Sequence, residues 1–150
     1  MSPEYVIEGI FSIKSDVFSF GVLLLEIISG KKNRRFSHPA HYHNLLGHAW
    51  LLWNEARALE LMDSCLEDSC IKSQVLRCVQ VSLLCVQKFP AERPAMSSVV
   101  FMLANKEATL PQPRQPGFFN ESSSVATHET SRKEELHTKN SVTITTLEGR

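Results

Sequence analysis

The 150 residues carry 16 Lys+Arg against 16 Asp+Glu, a balance that excludes a nucleic-acid binder held on by bulk charge. The length fits one domain on the usual scale of roughly 100–200 residues, and 43% hydrophobic against 21% charged residues leaves enough apolar surface for a core. No basic stretch followed by an apolar run opens the sequence, so no signal peptide is read. The richest apolar run, Val17–Ile28, is shorter than the about 20 residues of a membrane span and is interrupted by Glu26. The expectation is a soluble, cytoplasmic chain without a membrane span and without nucleic-acid partners.

In chain order, Val17–Ile28 has nine apolar residues in twelve, distributed all round the helical wheel, which predicts a fully buried helix. Ser15 or Asp16 is placed to cap its start. Gly30 suits the left-handed residue beyond its end, with Lys31 and Lys32 complementing the dipole. A second helix is predicted from Leu45, with Leu46, Ala49, Trp50 and Trp53 on one face. The two tryptophans read as helix–helix core rather than a ligand stack. A third helix covers Gln74–Gln87, striped by Val75, Cys78, Val79, Cys85 and Val86. A fourth covers Ser97–Ala104, with Met96, Val99, Val100 and Leu103 at helical spacing. Between these two, Pro90-Ala91-Glu92-Arg93-Pro94 reads as a fixed loop, because each proline biases its predecessor to extended geometry.

Composition shifts near Leu110. Pro111, Pro113 and Pro116 are followed by Ser122-Ser123-Ser124 and a polar stretch to Arg150, too poor in apolar surface to offset the entropy of ordering it. The sequence therefore predicts an all-α body over residues 1–108 and a disordered tail over 109–150, with only a weak strand pattern at Val142–Thr146. The serines can accept phosphate, though short serine runs are commonplace in disordered tails.

Cys65, Cys70, Cys78 and Cys85 read as reduced thiols rather than a disulfide framework. Cys78 and Cys85, seven apart, are expected on one buried helix face, and their spacings do not match close zinc pairs. His38, His41, His43 and His48 cluster around the loop before the second helix. Imidazoles at such spacings can converge on zinc, but the plainer reading is a solvated loop, and no metal ligand is assigned.

The helices also carry motifs. Ser2-Pro3-Glu4 resembles the A-P-E motif that closes the activation segment of eukaryotic protein kinases. Asp16-Val17-Phe18-Ser19-Phe20-Gly21 is similar to the D-x-x-S-F-G opening the central helix of the kinase C-terminal lobe, and Arg93-Pro94 resembles the site of that lobe's arginine partner for the A-P-E glutamate. The runs Asn44–Trp50, Leu76–Gln87 and Met96–Val100 narrow the resemblance to plant receptor-like serine/threonine kinases of the G-type lectin, S-locus-receptor group. The tail agrees through Leu110-Pro111-Gln112-Pro113, Gln115–Phe119 and Val142–Arg150. The resemblance implies a C-terminal-lobe fragment of the protein kinase-like fold followed by that group's C-terminal extension.

It further implies that Glu4 and Arg93, 89 positions apart, form a buried ion pair anchoring the activation segment, the planar guanidinium gripping the carboxylate through two parallel bonds. The alternative is two exposed charges worth at most about 1 kcal/mol. In an intact kinase Asp16 would accept backbone hydrogen bonds from the catalytic loop; without that loop only a helix-capping role is left to it. Ala56 and Ser82 stand where the group has glycine, so Ala56 is expected to cost on the order of 1 kcal/mol if its φ is positive.

A kinase needs a Gly-rich loop, a strand lysine, a catalytic-loop aspartate and a metal-binding aspartate. The six glycines never approach G-x-G-x-x-G, and the aspartates, Asp16, Asp63 and Asp68, neither follow His-Arg nor begin D-F-G. No catalytic, cofactor-binding or metal-binding residue is therefore assigned, although the full-length family uses ATP and Mg²⁺. Met1 coincides with an internal methionine of the family's run into A-P-E. The chain looks like a kinase cut at the end of its activation segment, through a truncated transcript, a pseudogene or a gene-model error. Two functions are carried forward: a catalytically incompetent part of a receptor-like serine/threonine kinase, whose full-length relatives are single-pass plasma-membrane proteins with this part in the cytosol, or a non-catalytic interaction module docking on partner kinases or signalling proteins.

Overall fold

The computed structural model describes residues 13–36 and 44–118. Four helices dominate them: α1 Ile13–Ser29, α2 Leu45–Asn54, α3 Lys72–Cys85 and α4 Met96–Ala104, with 3₁₀ turns at Asn33–Arg35, Ala58–Leu61, Ser64–Leu66 and Pro90–Glu92. Among the described residues there is no strand, only an isolated antiparallel bridge between Gln87 and Pro116. The all-α reading holds. Glu4, His38, His41, His43, Ser122–Ser124 and Val142–Thr146 lie outside the described residues.

Helix α1 already runs from Ile13, so Ser15 and Asp16 sit inside it and neither is the N-cap expected from the sequence. Asp16 is exposed in the first turn, where a carboxylate still complements the positive helix end. The other end matches expectation. Gly30 has φ +66°, and a Cβ there would stand 2.0 Å from a carboxylate oxygen of Asp63; the Asp63 amide donates to the Ile28 carbonyl at 2.8 Å. Burial all round does not hold: Leu23 and Ile27, four apart, are 52% and 60% exposed. A uniformly apolar helix shows no pattern from which its uncovered side can be read.

Helix α2 is capped by Asn44, whose side-chain oxygen accepts from the Gly47 amide at 2.9 Å. It ends in a Schellman motif: the Arg57 amide donates to Leu52 O at 2.8 Å and the Ala56 amide to Trp53 O at 3.1 Å, with Ala56 at φ 58°. That is the left-handed position normally given to glycine. Trp50 and Trp53 are half-buried against the core.

Helix α3 separates two apolar clusters. Val75, Val79, Leu83 and Val86 face one, shared with Phe18, Leu25 and Ile28 of α1 and Leu45, Leu46, Ala49 and Leu52 of α2. Val81, Leu84 and Cys85 face the other, with Val17, Val99 and Met102. Every residue from 81 to 87 is buried, so the fully enclosed stretch lies at the end of α3 rather than along α1. Cys78 and Cys85 both point inward, Cys78 half-buried against the first cluster and Cys85 buried in the second. On α4 the buried face is Val99 and Met102, while Val100 is 60% exposed, turned outward from the predicted stripe.

The packed chain runs past the expected boundary at 108. Pro113, Pro116 and Gly117 are buried, and the Gly117 amide donates to Val86 O at 2.9 Å. Prolines bring fixed φ and no amide donor, so an extended segment rich in them is ordered at low entropic cost once a helix supplies donors to its carbonyls.

Candidate functional site

The site grows from Arg93. Pro94 restricts Arg93 to extended backbone, observed at φ −74° and ψ 141°, immediately after the 3₁₀ turn that Pro90 starts. That geometry turns the side chain inward, and Arg93 is 2% exposed, the largest fully buried side chain among the described residues. Its Nε donates to Gln87 O at 2.8 Å, one Nη to Lys14 O at 3.1 Å and the other to Lys88 O at 3.3 Å. The guanidinium lies over the Phe18 ring, 4.7 Å from its centre, and the Lys14 ammonium donates back to Arg93 O at 2.5 Å. Lys14 and Arg93 thus exchange side-chain donors for each other's carbonyls, which ties the first turn of α1 to the 90–94 loop.

Burying a guanidinium is costly unless negative charge meets it. Three carbonyl oxygens and an aromatic face supply partial negative charge. Of the three structural residues picked from the sequence, Arg93 is buried, Asp16 lies exposed on the same first helical turn as Lys14, and Glu4 is outside the described residues.

Residues around Arg93 that the sequence did not single out prove equally involved. Gln87, 3% exposed, donates its Nε2 to Glu92 O at 2.7 Å and accepts the Arg114 amide on its Oε1 at 2.8 Å. The Arg114 guanidinium pairs with the Glu92 carboxylate. Arg77 donates to Met102 O at 2.6 Å and Ala108 O at 2.8 Å, and Gln80 to Pro111 O at 2.9 Å. A signal for them is present in the sequence: Arg77 and Gln80, two long polar donors three apart on one helix, precede a proline-rich run that offers carbonyls and few amides.

Elsewhere, a cavity of about 360 Å³ is lined by Lys31, His48, Leu51, Leu52, Glu55, Arg57 and Glu60. Arg57 bonds both Glu55 and Glu60 at 2.7 Å, which holds the Glu60 carboxyl below and the Arg57 guanidinium above their ordinary ranges. These groups are solvent-exposed, so the network contributes little to stability. His48 packs against Phe36, ring centres 5.1 Å apart. Among the described residues no three His, Cys, Asp or Glu groups converge as metal ligands. No described helix is long and apolar enough to cross a membrane.

Comparison with known proteins is consistent with this arrangement. The family profile described as protein tyrosine and serine/threonine kinase matches residues 1–103, and a domain of unknown function, DUF3403, matches residues 105–150. A G-type lectin S-receptor-like serine/threonine-protein kinase of Arabidopsis thaliana is 51% identical over the whole chain, which covers 18% of that relative. Cysteine-rich receptor-like protein kinase 10 of the same plant is 54% identical over 81% of the chain, again 18% of the relative. The chain thus spans about a fifth of the length of these relatives. Among solved structures, the pseudokinase domain of BIR2, described as an immune regulator of the RLK/Pelle family, superposes with a TM-score of 0.61 at 27% identity, over 69% of this chain and 31% of that one. The chain belongs to the protein tyrosine and serine/threonine kinase family, carrying the helical C-terminal-lobe part of a receptor-like serine/threonine kinase domain together with the S-locus-type C-terminal region.

Proposed function

We propose that this chain is the anchoring half of a receptor-like kinase C-lobe, in which Arg93 receives the Glu4 carboxylate and thereby fastens the end of an activation segment. The observation that carries this reading is Arg93 itself: a guanidinium 2% exposed, fixed by Pro94 and held by carbonyls from Gln87, Lys14 and Lys88. A carboxylate brought there meets the guanidinium with a whole negative charge, which offsets the cost of burying it.

The 150 residues by themselves transfer no phosphate. In intact relatives the reaction is transfer of the ATP γ-phosphoryl to a protein Ser/Thr hydroxyl with Mg²⁺, which depends on a nucleotide cradle, metal carboxylates and a positioned base. None of those motifs is in the sequence. Its place is the cytosol, as the inner part of a plasma-membrane receptor when joined to the rest of such a protein. Incubation of the purified chain with labelled ATP, Mg²⁺ and a generic acceptor protein is expected to give no transfer; turnover above background overturns this.

A second reading, a non-catalytic module that binds protein partners such as kinases, is favoured by one feature. Leu23 and Ile27 leave an apolar stripe on α1, and apolar area of this kind marks interaction surfaces. Sedimentation over a concentration series separates the two readings: a defined complex with an added kinase supports the module, and a monomer that ignores it does not.

A further inference from the structure

Residues 108–118 run along α3 and the loop that follows it, joined by a ladder of hydrogen bonds. Arg77 donates to Ala108 O at 2.8 Å and Gln80 to Pro111 O at 2.9 Å. Arg114 donates its amide to Gln87 Oε1 at 2.8 Å. The Lys88 amide donates to Gln115 O at 3.0 Å and the Gly117 amide to Val86 O at 2.9 Å. Pro116 is fully buried.

We infer that this segment is an intramolecular strap that sets the position of the Arg93 guanidinium, with Gln87 as the positioning residue that couples the two. Two routes lead from strap to guanidinium. The first passes through the buried Gln87 amide, which takes the strap's Arg114 N–H on its oxygen and gives its own N–H to Glu92 O at 2.7 Å, the residue before Arg93. The Gln87 main-chain oxygen also accepts Arg93 Nε at 2.8 Å, and the Arg114–Glu92 ion pair closes the same circuit on the outside. The second route is aromatic. Phe118, at the far end of the strap, meets Phe18 edge-on with ring centres 6.2 Å apart, and the face of Phe18 carries Arg93 at 4.7 Å.

The chemistry at position 87 is specific. The amide both accepts from the strap and donates to the loop; a carboxylate of the same shape keeps the acceptor and loses the donor. The first residues of the region matched by a domain of unknown function thus have a structural role, finishing the wall of the kinase lobe against which Arg93 is held.

The test uses the full chain, labelled with ¹⁵N, and follows hydrogen exchange of the Arg93 Nε–H by NMR. Gln87→Glu cuts the first route. Phe118→Ala cuts the second at a residue 47% exposed, where folding tolerates truncation. Loss of one buried bond is expected to speed exchange at Arg93 about tenfold, while the Arg77 Nε–H, bonded to Met102 O at 2.6 Å, keeps its rate. Acceleration confined to Arg93 in either variant supports the strap. An unchanged Arg93 rate in both, or equal acceleration at Arg77, overturns it.

Discussion

Gly21 of α1 and Cys85 of α3 approach so closely that a Cβ on the glycine would stand 2.6 Å from the Cβ of the cysteine. The same atom would lie 2.8 Å from Val86 Cγ1 and 2.9 Å from Ser82 O, so three sides are closed, one of them by backbone. Ser82 does not obstruct this crossing: its hydroxyl turns back along its own helix and donates to Cys78 O at 2.7 Å. Gly21→Ala is therefore expected to push α1 and α3 apart, at a cost of roughly 1–3 kcal/mol or more. Urea unfolding checks this, and a midpoint equal to that of the parent contradicts it.

Ala56 offers the opposite case. It occupies the left-handed position of the Schellman motif ending α2, at φ 58°, where a Cβ is strained and glycine is not. Ala56→Gly should raise stability by about 1 kcal/mol, read as a higher urea midpoint at unchanged slope. A lower midpoint would show that the loss of unfolded-state restriction outweighs the relieved strain.

Arg93→Ala removes the donors to Gln87 O, Lys14 O and Lys88 O together with the cation over the Phe18 ring, and is expected to cost about 3–5 kcal/mol. That loss alone does not report on Glu4. A double-mutant cycle with Glu4→Gln and Arg93→Lys does, because two residues in contact show a coupling energy and distant ones add. Coupling above about 1 kcal/mol supports the ion pair; additivity within error removes Glu4 from the anchor.

Much of this arrangement is legible in the sequence because it is local. The Gly30 stop of α1, the extended backbone that Pro94 forces on Arg93, and the helices themselves follow from residue chemistry over a few positions. The positive φ at Ala56 enters the sequence reading only as a condition attached to the family resemblance. What is not legible is tertiary. Helix α1 runs from Ile13, so Ser15 and Asp16 are interior to it, and the tie of its first turn to Arg93, 79 residues away, leaves no local trace. The strap reads as disordered by composition, since its order rests on side-chain donors from Arg77 and Gln80 and on the Gln87 oxygen that accepts the Arg114 amide, rather than on its own apolar content. Val100 belongs to an apolar run but faces outward, because periodicity fixes which residues share a face and not which face is covered.

The cysteines divide by environment, and that division makes them a probe of the core. Burial pushes the Cys85 thiol up to about 12, offset only in part by the nearby Arg93 charge, and burial also raises Cys78. Cys65 is exposed. A thiol reacts as its thiolate, so alkylation of the native chain at neutral pH should modify Cys65 first and Cys85 last, with order read by peptide mass spectrometry. Linkage gives a second readout. In the unfolded chain Cys85 loses its proton near pH 9, the ordinary thiol value, whereas the folded chain retains it to about pH 12. Between those limits the unfolded state binds fewer protons, so stability is full below pH 9 and falls as pH rises, by up to about 1.4 kcal/mol per pH unit from this one group. Cys85→Ala should flatten that alkaline slope while leaving a small cavity that lowers stability at neutral pH. A parent chain whose stability is level from pH 9 to 12, or in which Cys85 alkylates as fast as Cys65, would place the end of α3 in contact with solvent rather than sealed between α1 and α4.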